Sequence, residues 1–206
     1  MCPVQHAASR ERQVLPLGGW IDHAPAFVPP ARATLLQSAL VNELAWENRE
    51  IVLFGKRIPQ PRLIAWAGTF GYRYSGQTLE PREPGAALAE LTAMVNAAVG
   101  VTFNHVLVNR YRNGQDSMGM HSDSEPELGP DPVVASVSFG VARRFVVVPR
   151  GKGPRFSYSL GHGDLLVMGG TCQAHYRHGV PRAAEVSGQR LSATFRRVLR
   201  DPNPVI

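Results

Sequence analysis

A histidine and an aspartate two residues apart, His121 and Asp123, close a stretch that begins at Asn109-Arg110-Tyr111 and ends at Ser124-Glu125. In an extended backbone, side chains at i and i+2 point to the same face. One imidazole nitrogen and one carboxylate oxygen can therefore converge on a single ion. A third ligand from a distant strand would complete the two-histidine, one-carboxylate face that leaves positions open on non-haem Fe(II). Downstream, the chain offers His162, His175 and His178. His178 ends a strand-like run just before Gly179-Val180-Pro181, and Arg190 follows it by 12 residues. A guanidinium there could pair with the far carboxylate of a dicarboxylate whose near end chelates the metal. Arg196 shares a strand face with Arg190, with Ser192 and Thr194 between them, and Asn109 shares a face with Tyr111. A rival pair, His162-Gly163-Asp164, sits in a glycine turn entering Leu165-Leu166-Val167-Met168 and reads as turn chemistry. The residue types suit an Fe(II) centre working with a 2-oxo acid, and by themselves they carry the argument no further.

These side chains need a scaffold. Leu35, Leu36, Ala39, Leu40 and Leu44 recur at helical spacing and predict a helix over roughly 32 to 46. A second helix is expected from about 84 to 98, with Pro84 in its first turn and Leu88, Leu91, Met94 and Val95 on one face. A strand-like run covers 51 to 57, followed by an aromatic-rich loop from 61 to 76. From residue 101 the texture changes to short strands punctuated by Gly and Pro. They are expected near 104–111, 133–139, 144–149, 155–160, 164–168, 172–178 and 190–198. Two helices followed by seven or so strands point to an α+β fold, a double-stranded β-helix (jelly roll) backed by the N-terminal helices. Residues 1–14 are expected to be a disordered tail, and 15–206 a single domain.

Composition sets outer bounds. At 206 residues and 44% hydrophobic content the chain can bury a sizeable core. No apolar run approaches the ~18 residues of a membrane span, so no membrane association is expected. Two cysteines, Cys2 and Cys172, make no disulfide framework, which favours a reducing cytoplasm. The formal charge is +6, carried by arginine apart from Lys56 and Lys152. That suits phosphate contact but also follows from genome bias.

Taken together, several stretches resemble the AlkB family of Fe(II)- and 2-oxoglutarate-dependent dioxygenases. They are Asn109-Arg110-Tyr111 with Gly114, His121-Ser122-Asp123-Ser124-Glu125, Ala135-Ser136-Val137-Ser138-Phe139-Gly140, His178-Gly179-Val180-Pro181 and Arg190-Leu191-Ser192-Ala193-Thr194-Phe195-Arg196. The resemblance is closest to members acting on duplex DNA, through Val52-Leu53-Phe54-Gly55-Lys56, Tyr72-Arg73-Tyr74-Ser75-Gly76 and Arg150-Gly151-Lys152. It implies His121, Asp123 and His178 as iron ligands, and Asn109, Tyr111, Arg190 and Arg196 as 2-oxoglutarate contacts. Ser192 stands where the family often has Asn. The resemblance also implies a nucleotide-recognition lid over about 50–80 and a jelly-roll core over about 101–198. Glu125 is expected near the exocyclic amine of a damaged base, with Tyr72, Tyr74 and Ser75 in the lid.

Physical logic adds the remaining contacts. A base must leave its stack to reach the iron, and Phe54 is a candidate wedge for the gap. Arg143, Arg144, Arg150 and Lys152 are candidate phosphate contacts. The implied activity is oxidative demethylation of 1-methyladenine and 3-methylcytosine, in DNA first and RNA second, by a monomer using Fe(II), 2-oxoglutarate and O2. The alternative is a 2-oxoglutarate-dependent hydroxylase of a small molecule or protein side chain. His105 and His175 are expected to be structural, and Trp20, Trp46 and Trp66 to be core or interface residues.

Overall fold

The computed structural model describes residues 10–53, 56–74 and 77–199. The first elements are β1 (Glu11–Val14), β2 (Gly19–Ala24), α1 (Pro30–Glu43), β3 (Glu50–Leu53), β4 (Lys56–Pro59), β5 (Leu63–Gly68), β6 (Tyr72–Tyr74), β7 (Gln77–Leu79) and α2 (Ala86–Val99). Then come β8 (His105–Tyr111), β9 (Met118–His121), β10 (Val134–Gly140), β11 (Arg143–Pro149), β12 (Phe156–Leu160), β13 (Leu165–Gly170), α3 (Cys172–His175), β14 (Tyr176–Val180) and β15 (Arg190–Arg196). Seven strands pair in the order β1-β2-β13-β10-β15-β8-β5, and four in the order β12-β11-β14-β9. Every pairing in both sheets is antiparallel, as a jelly roll requires.

Alternation along three central strands assigns each face of the large sheet its job. Val106 and Val108 of β8, Ala135, Val137 and Phe139 of β10, and Leu191, Ala193 and Phe195 of β15 pack with α1 and α2 in one apolar core. The helices contribute Leu36, Leu40, Leu88, Leu91 and Val95, residues three, four or seven apart on one helical stripe. The intervening residues of the same strands are largely polar and still buried: His105, Asn109, Ser136, Ser138, Arg190, Ser192 and Arg196. Polar groups are seldom buried without a purpose, and this face looks across at the four-stranded sheet. A second apolar cluster, with Tyr111, Phe145, Val147, Met168 and Tyr176, lies between the sheets.

Four expectations change. Residues 11–14 are a strand, not tail, because β1 pairs along β2 and Arg12 donates both arms of its guanidinium to Asp22 while stacking on Trp20. The stretch read as a loop from 61 to 76 contains β5, an edge strand of the large sheet paired with β8. The stretch expected to be a lid thus holds two antiparallel strand pairs, β3–β4 and β6–β7, separated by a core strand. Residues 172–175 form one helical turn before β14, although their alternation reads as strand; the turn carries Gln173 into the interior. Pro84 lies just before the second helix, whose N-cap is Gly85.

Candidate metal centre

Antiparallel pairing of β9 with β14 sets His121 directly opposite His178, with ring centroids 4.3 Å apart. Asp123 lies two residues past the end of β9 and is completely buried. Its Oδ2 is 3.6 Å from His178 Nε2, its Oδ1 is 4.0 Å from His121 Nε2, and the three ligand atoms all lie within 4.8 Å of one another. The turn that places Asp123 is pinned twice. Gln173, buried on α3, accepts the Asp123 backbone N–H through Oε1 at 2.9 Å. The Ser122 hydroxyl donates to the Tyr176 carbonyl at 2.7 Å.

Protonation is arranged for ligation. His121 Nδ1 lies 3.0 Å from the Gly119 carbonyl. A carbonyl only accepts, so Nδ1 carries the proton and Nε2 keeps its lone pair for an ion. Burial pushes His178 down to about 3, aided by the neighbouring His121, and burial likewise lowers His121, so both rings are neutral near pH 7. Burial opposes ionisation of Asp123, but Arg196 and the two histidines outweigh it and bring the carboxyl to about 2. Arg196 donates to Asp123 Oδ1 at 2.7 Å, and Oδ2 has no hydrogen-bond partner among the described residues. A fully buried carboxylate oxygen 3.6 Å from an imidazole nitrogen, with no donor of its own and a second imidazole beside the same carboxylate, is what a cation would satisfy.

Beside this cluster runs a pocket lined by Asn109, Tyr111, Ser136, Ser192, Thr194 and Arg196. Arg190 sits next along the same face of β15, opposite Tyr111, with its guanidinium carbon 5.4 Å from the Tyr111 ring centre. It is 1% exposed and donates once, to the Ser138 hydroxyl at 2.8 Å. Its Nε and Nη1, and those of Arg196, make no hydrogen bond with described residues. Two buried cations with spare donors on one strand face call for an anionic ligand. Asn109 is oriented by a residue that sequence reasoning passed over: Arg62 Nε donates to its Oδ1 at 2.7 Å, which turns the amide nitrogen away from Arg62. Gln173 was missed as well. Neither sits in a local motif; each reaches the centre only through the sheet pairing. Ser192 shares a hydrogen bond with Ser136 at 2.9 Å.

A match to the model of the 2OG-Fe(II) oxygenase superfamily runs over residues 21–196. The chain belongs to that superfamily. Its AlkB membership rests on relatives such as the DNA oxidative demethylase ALKBH2 of Arabidopsis thaliana, 33% identical across 94% of this chain and 71% of that protein. The human alpha-ketoglutarate-dependent dioxygenase alkB homolog 3 is 37% identical over 86% of this chain, and its rat counterpart 38% over the same share. The chain spans just under two thirds of those two proteins, 66% and 64%. An oxidoreductase of the 2OG-Fe(II) oxygenase family from Burkholderia pseudomallei superposes with a TM-score of 0.60 at 18% identity, over 88% of this chain and 86% of that one, and shares the fold. The donor set of one carboxylate and two neutral imidazoles fits the Fe(II) that this AlkB chain's superfamily uses, and the spare guanidinium donors fit the two carboxylates of 2-oxoglutarate.

The remaining expectations sort by position. Glu125 is half-buried, and Tyr72 stands against its carboxyl. Burial first, then Asp123, raises the Glu125 pKa. The Tyr72 ring is fully buried, tilted against His105 with centroids 4.7 Å apart, so it is closed to a base. Arg143 is buried and donates to the carbonyls of Asn113, Asp116 and Pro181, which corrects its reading as a phosphate contact. Arg144, Arg150 and Lys152 are exposed, and Arg150 donates to Ser122 Oγ at 2.9 Å. Phe54, Ser75 and the Tyr74 side chain lie outside the described residues.

The rival pair is structural. His162 Nδ1 accepts the Gly140 N–H at 3.0 Å, and Nε2 meets the Thr34 hydroxyl at 3.2 Å, so neither nitrogen is left for a metal. Asp164 accepts from the backbone N–H groups of Ala26 and Gly161 and faces His23. Gly163 has φ +86, and an added Cβ would meet the Val28 carbonyl at 2.2 Å. Only glycine fits there.

Proposed function

We propose that this protein reverses N-alkylation of nucleobases, removing methyl groups from 1-methyladenine and 3-methylcytosine in DNA first and RNA second. The observation that carries the reading is the cluster His121–Asp123–His178, adjoined by two arginines with unused donors and by Glu125. Relatives named as a DNA oxidative demethylase and as an alpha-ketoglutarate-dependent dioxygenase support the same assignment. His121 Nε2, Asp123 Oδ2 and His178 Nε2 would hold Fe(II), with Arg196 fixing the other oxygen of Asp123. Arg190, beside Tyr111, would neutralise one carboxylate of 2-oxoglutarate. Asn109 and the spare donors of Arg196 would orient the other end.

Bound iron supplies the oxidising power by which 2-oxoglutarate and O2 become succinate and CO2 while one oxygen atom enters the N-methyl C–H bond. The resulting N-hydroxymethyl base would break its C–N bond, the electron pair returning to the ring nitrogen and the hydroxyl proton passing to solvent as formaldehyde leaves. Glu125, backed by Tyr72, would accept a hydrogen bond from the exocyclic amine. Arg150 and Lys152 would meet phosphates. Phe54, Tyr74 and Ser75 remain the sequence-based choices for filling the vacated stack and holding the flipped base. The chain would act as a monomer in a reducing cytoplasm. Cys172 fits that setting, being a free thiol whose pKa burial raises to about 12. No described helix is long and apolar enough to cross a membrane.

The test supplies Fe(II), 2-oxoglutarate and O2 with single- and double-stranded oligonucleotides carrying either lesion. Repaired base, formaldehyde and succinate should appear in equal amounts. Succinate without repaired base from any oligonucleotide would shift the assignment to hydroxylation of a small molecule or protein side chain.

A further inference from the structure

The outer face of the four-stranded sheet is lined with cations that no described residue pairs with. In register, Arg144 stands opposite Ser159 and Val148 opposite Arg177. Alternation therefore turns Arg144, Val146, Val148 and Arg177 away from the metal centre, while Phe145, Val147 and His178 turn toward it. None of β9, β11, β12 and β14 contains an aspartate or glutamate. A groove of about 440 Å³ lies on this face, rimmed by Arg144, Arg155 and Arg182 and floored by Val146, Val148 and Met120.

Arg144, Arg155, Arg177 and Arg182 are all exposed, and none makes a hydrogen bond or ion pair with a described residue. Five arginines elsewhere are held by carboxylates: Arg12 by Asp22, Arg32 by Glu90, Arg49 and Arg82 by Glu47, and Arg112 by Asp116. Unpaired guanidinium groups gathered on an acid-free face repel one another and raise a positive potential, which a polyanion relieves. The groove also adjoins the metal centre, because Met118 and Val180 line both it and the pocket beside the metal ligands.

We propose that this groove is the track for the sugar–phosphate backbone of the strand that delivers its base to the metal, extending contact well past the flipped nucleotide. The inference rests on the function proposed above. Forked guanidinium groups on the rim suit phosphate oxygens, and the apolar floor suits sugars and base faces. The four arginines recognise no base edge, so the track is indifferent to sequence.

The experiment measures binding of the full chain to a trinucleotide, to a single strand of about 15 nucleotides and to the matching duplex across a salt series. Replacing Arg144, Arg155 and Arg182 together by alanine should weaken long-strand binding roughly tenfold and reduce the slope of log affinity against log salt by about 2. Trinucleotide affinity and Co(II) binding should not move, and the lysine versions should restore the slope. Unchanged long-strand binding overturns the proposal, as does equal loss for trinucleotide and long strand. Loss confined to duplex overturns the assignment to the substrate strand. A parent chain that shows the arginine-dependent slope but releases no formaldehyde keeps the groove and rejects the repair chemistry.

Discussion

Asp123 concentrates the chemistry of this chain in one side chain. Each oxygen has its own surroundings: Oδ1 is held by Arg196 and lies 4.0 Å from His121, and Oδ2 faces His178. The backbone of the same residue is tied to Gln173, which is 1% exposed and makes its other contact to the Met168 sulfur at 3.8 Å. Removing that acceptor strands a buried N–H, a loss of about 1–3 kcal/mol, and frees the ligand turn to drift. Gln173→Ala should weaken Co(II) or Mn(II) binding by roughly 10–100-fold, whereas Gln173→Glu, which keeps an acceptor oxygen, should recover most of it. A metal titration giving parent-like affinity for the alanine variant would remove Gln173 from any role in placing the ligand.

At the scale of elements, two His-x-Asp turns of the same spelling diverge because of what packs beside them. The one after β9 meets His178 across a strand pair. The one before β13 meets α1 and the chain leaving β2, and its polar atoms are consumed by backbone amides. Asp164 therefore contributes stability rather than chemistry. Burial opposes its ionisation, but the bonds from His23, Ala26 and Gly161 outweigh it and leave its pKa below the ordinary carboxylate value. A depressed folded-state pKa means the stabilisation is complete above the unfolded value, about 3.9, and is lost as pH falls through the folded one. Asp164→Ala should cost about 1–3 kcal/mol at pH 7, with the gap to the parent closing in denaturation curves run below about pH 3. A gap that stays constant with acidification would mean the carboxylate charge contributes nothing.

The loops at the open end show the same dependence on neighbours. Gly114 donates to the Val186 carbonyl and accepts from Ala183, and an added Cβ would lie 1.8 Å from the Ala183 carbonyl oxygen. Arg143 then clasps both loops from inside through its three carbonyl bonds.

For the molecule as a whole, the price of the site is the burial of Arg190, Arg196 and Asp123 in excess of the partners the protein itself provides. Ligands that complete those partners should act as structural components. Mn(II) with a non-reacting 2-oxoglutarate analogue at about 100 times its dissociation constant should add about 2.7 kcal/mol, raising the melting temperature by roughly 5–10 °C for a domain of this size. Chelation should reverse the shift. Either component alone giving the whole shift would show that the two sub-sites are not coupled through the Asp123–Arg196 pair.

Much of this was legible in the residues. Helical spacing located α1 and α2, alternation located most strands from β8 onward, and i, i+2 spacing put Asn109 with Tyr111 and Arg190 with Arg196 on shared faces. Local periodicity suffices there because each pattern is enforced by burial of one face. Other features were not legible. The pairing of β9 with β14 that opposes His121 and His178, the seating of β5 beside β8, the helical turn that brings in Gln173, the inward turn of Arg143 and the burial of Tyr72 all depend on which segments meet. So does the arginine face, where residues from β11, β14 and two loops become neighbours only when the sheet forms. Types and spacings determined that this chain holds two candidate His-x-Asp corners. The tertiary structure decided which corner is left with an unsatisfied oxygen, because only packing settles whose donors reach a buried carboxylate first.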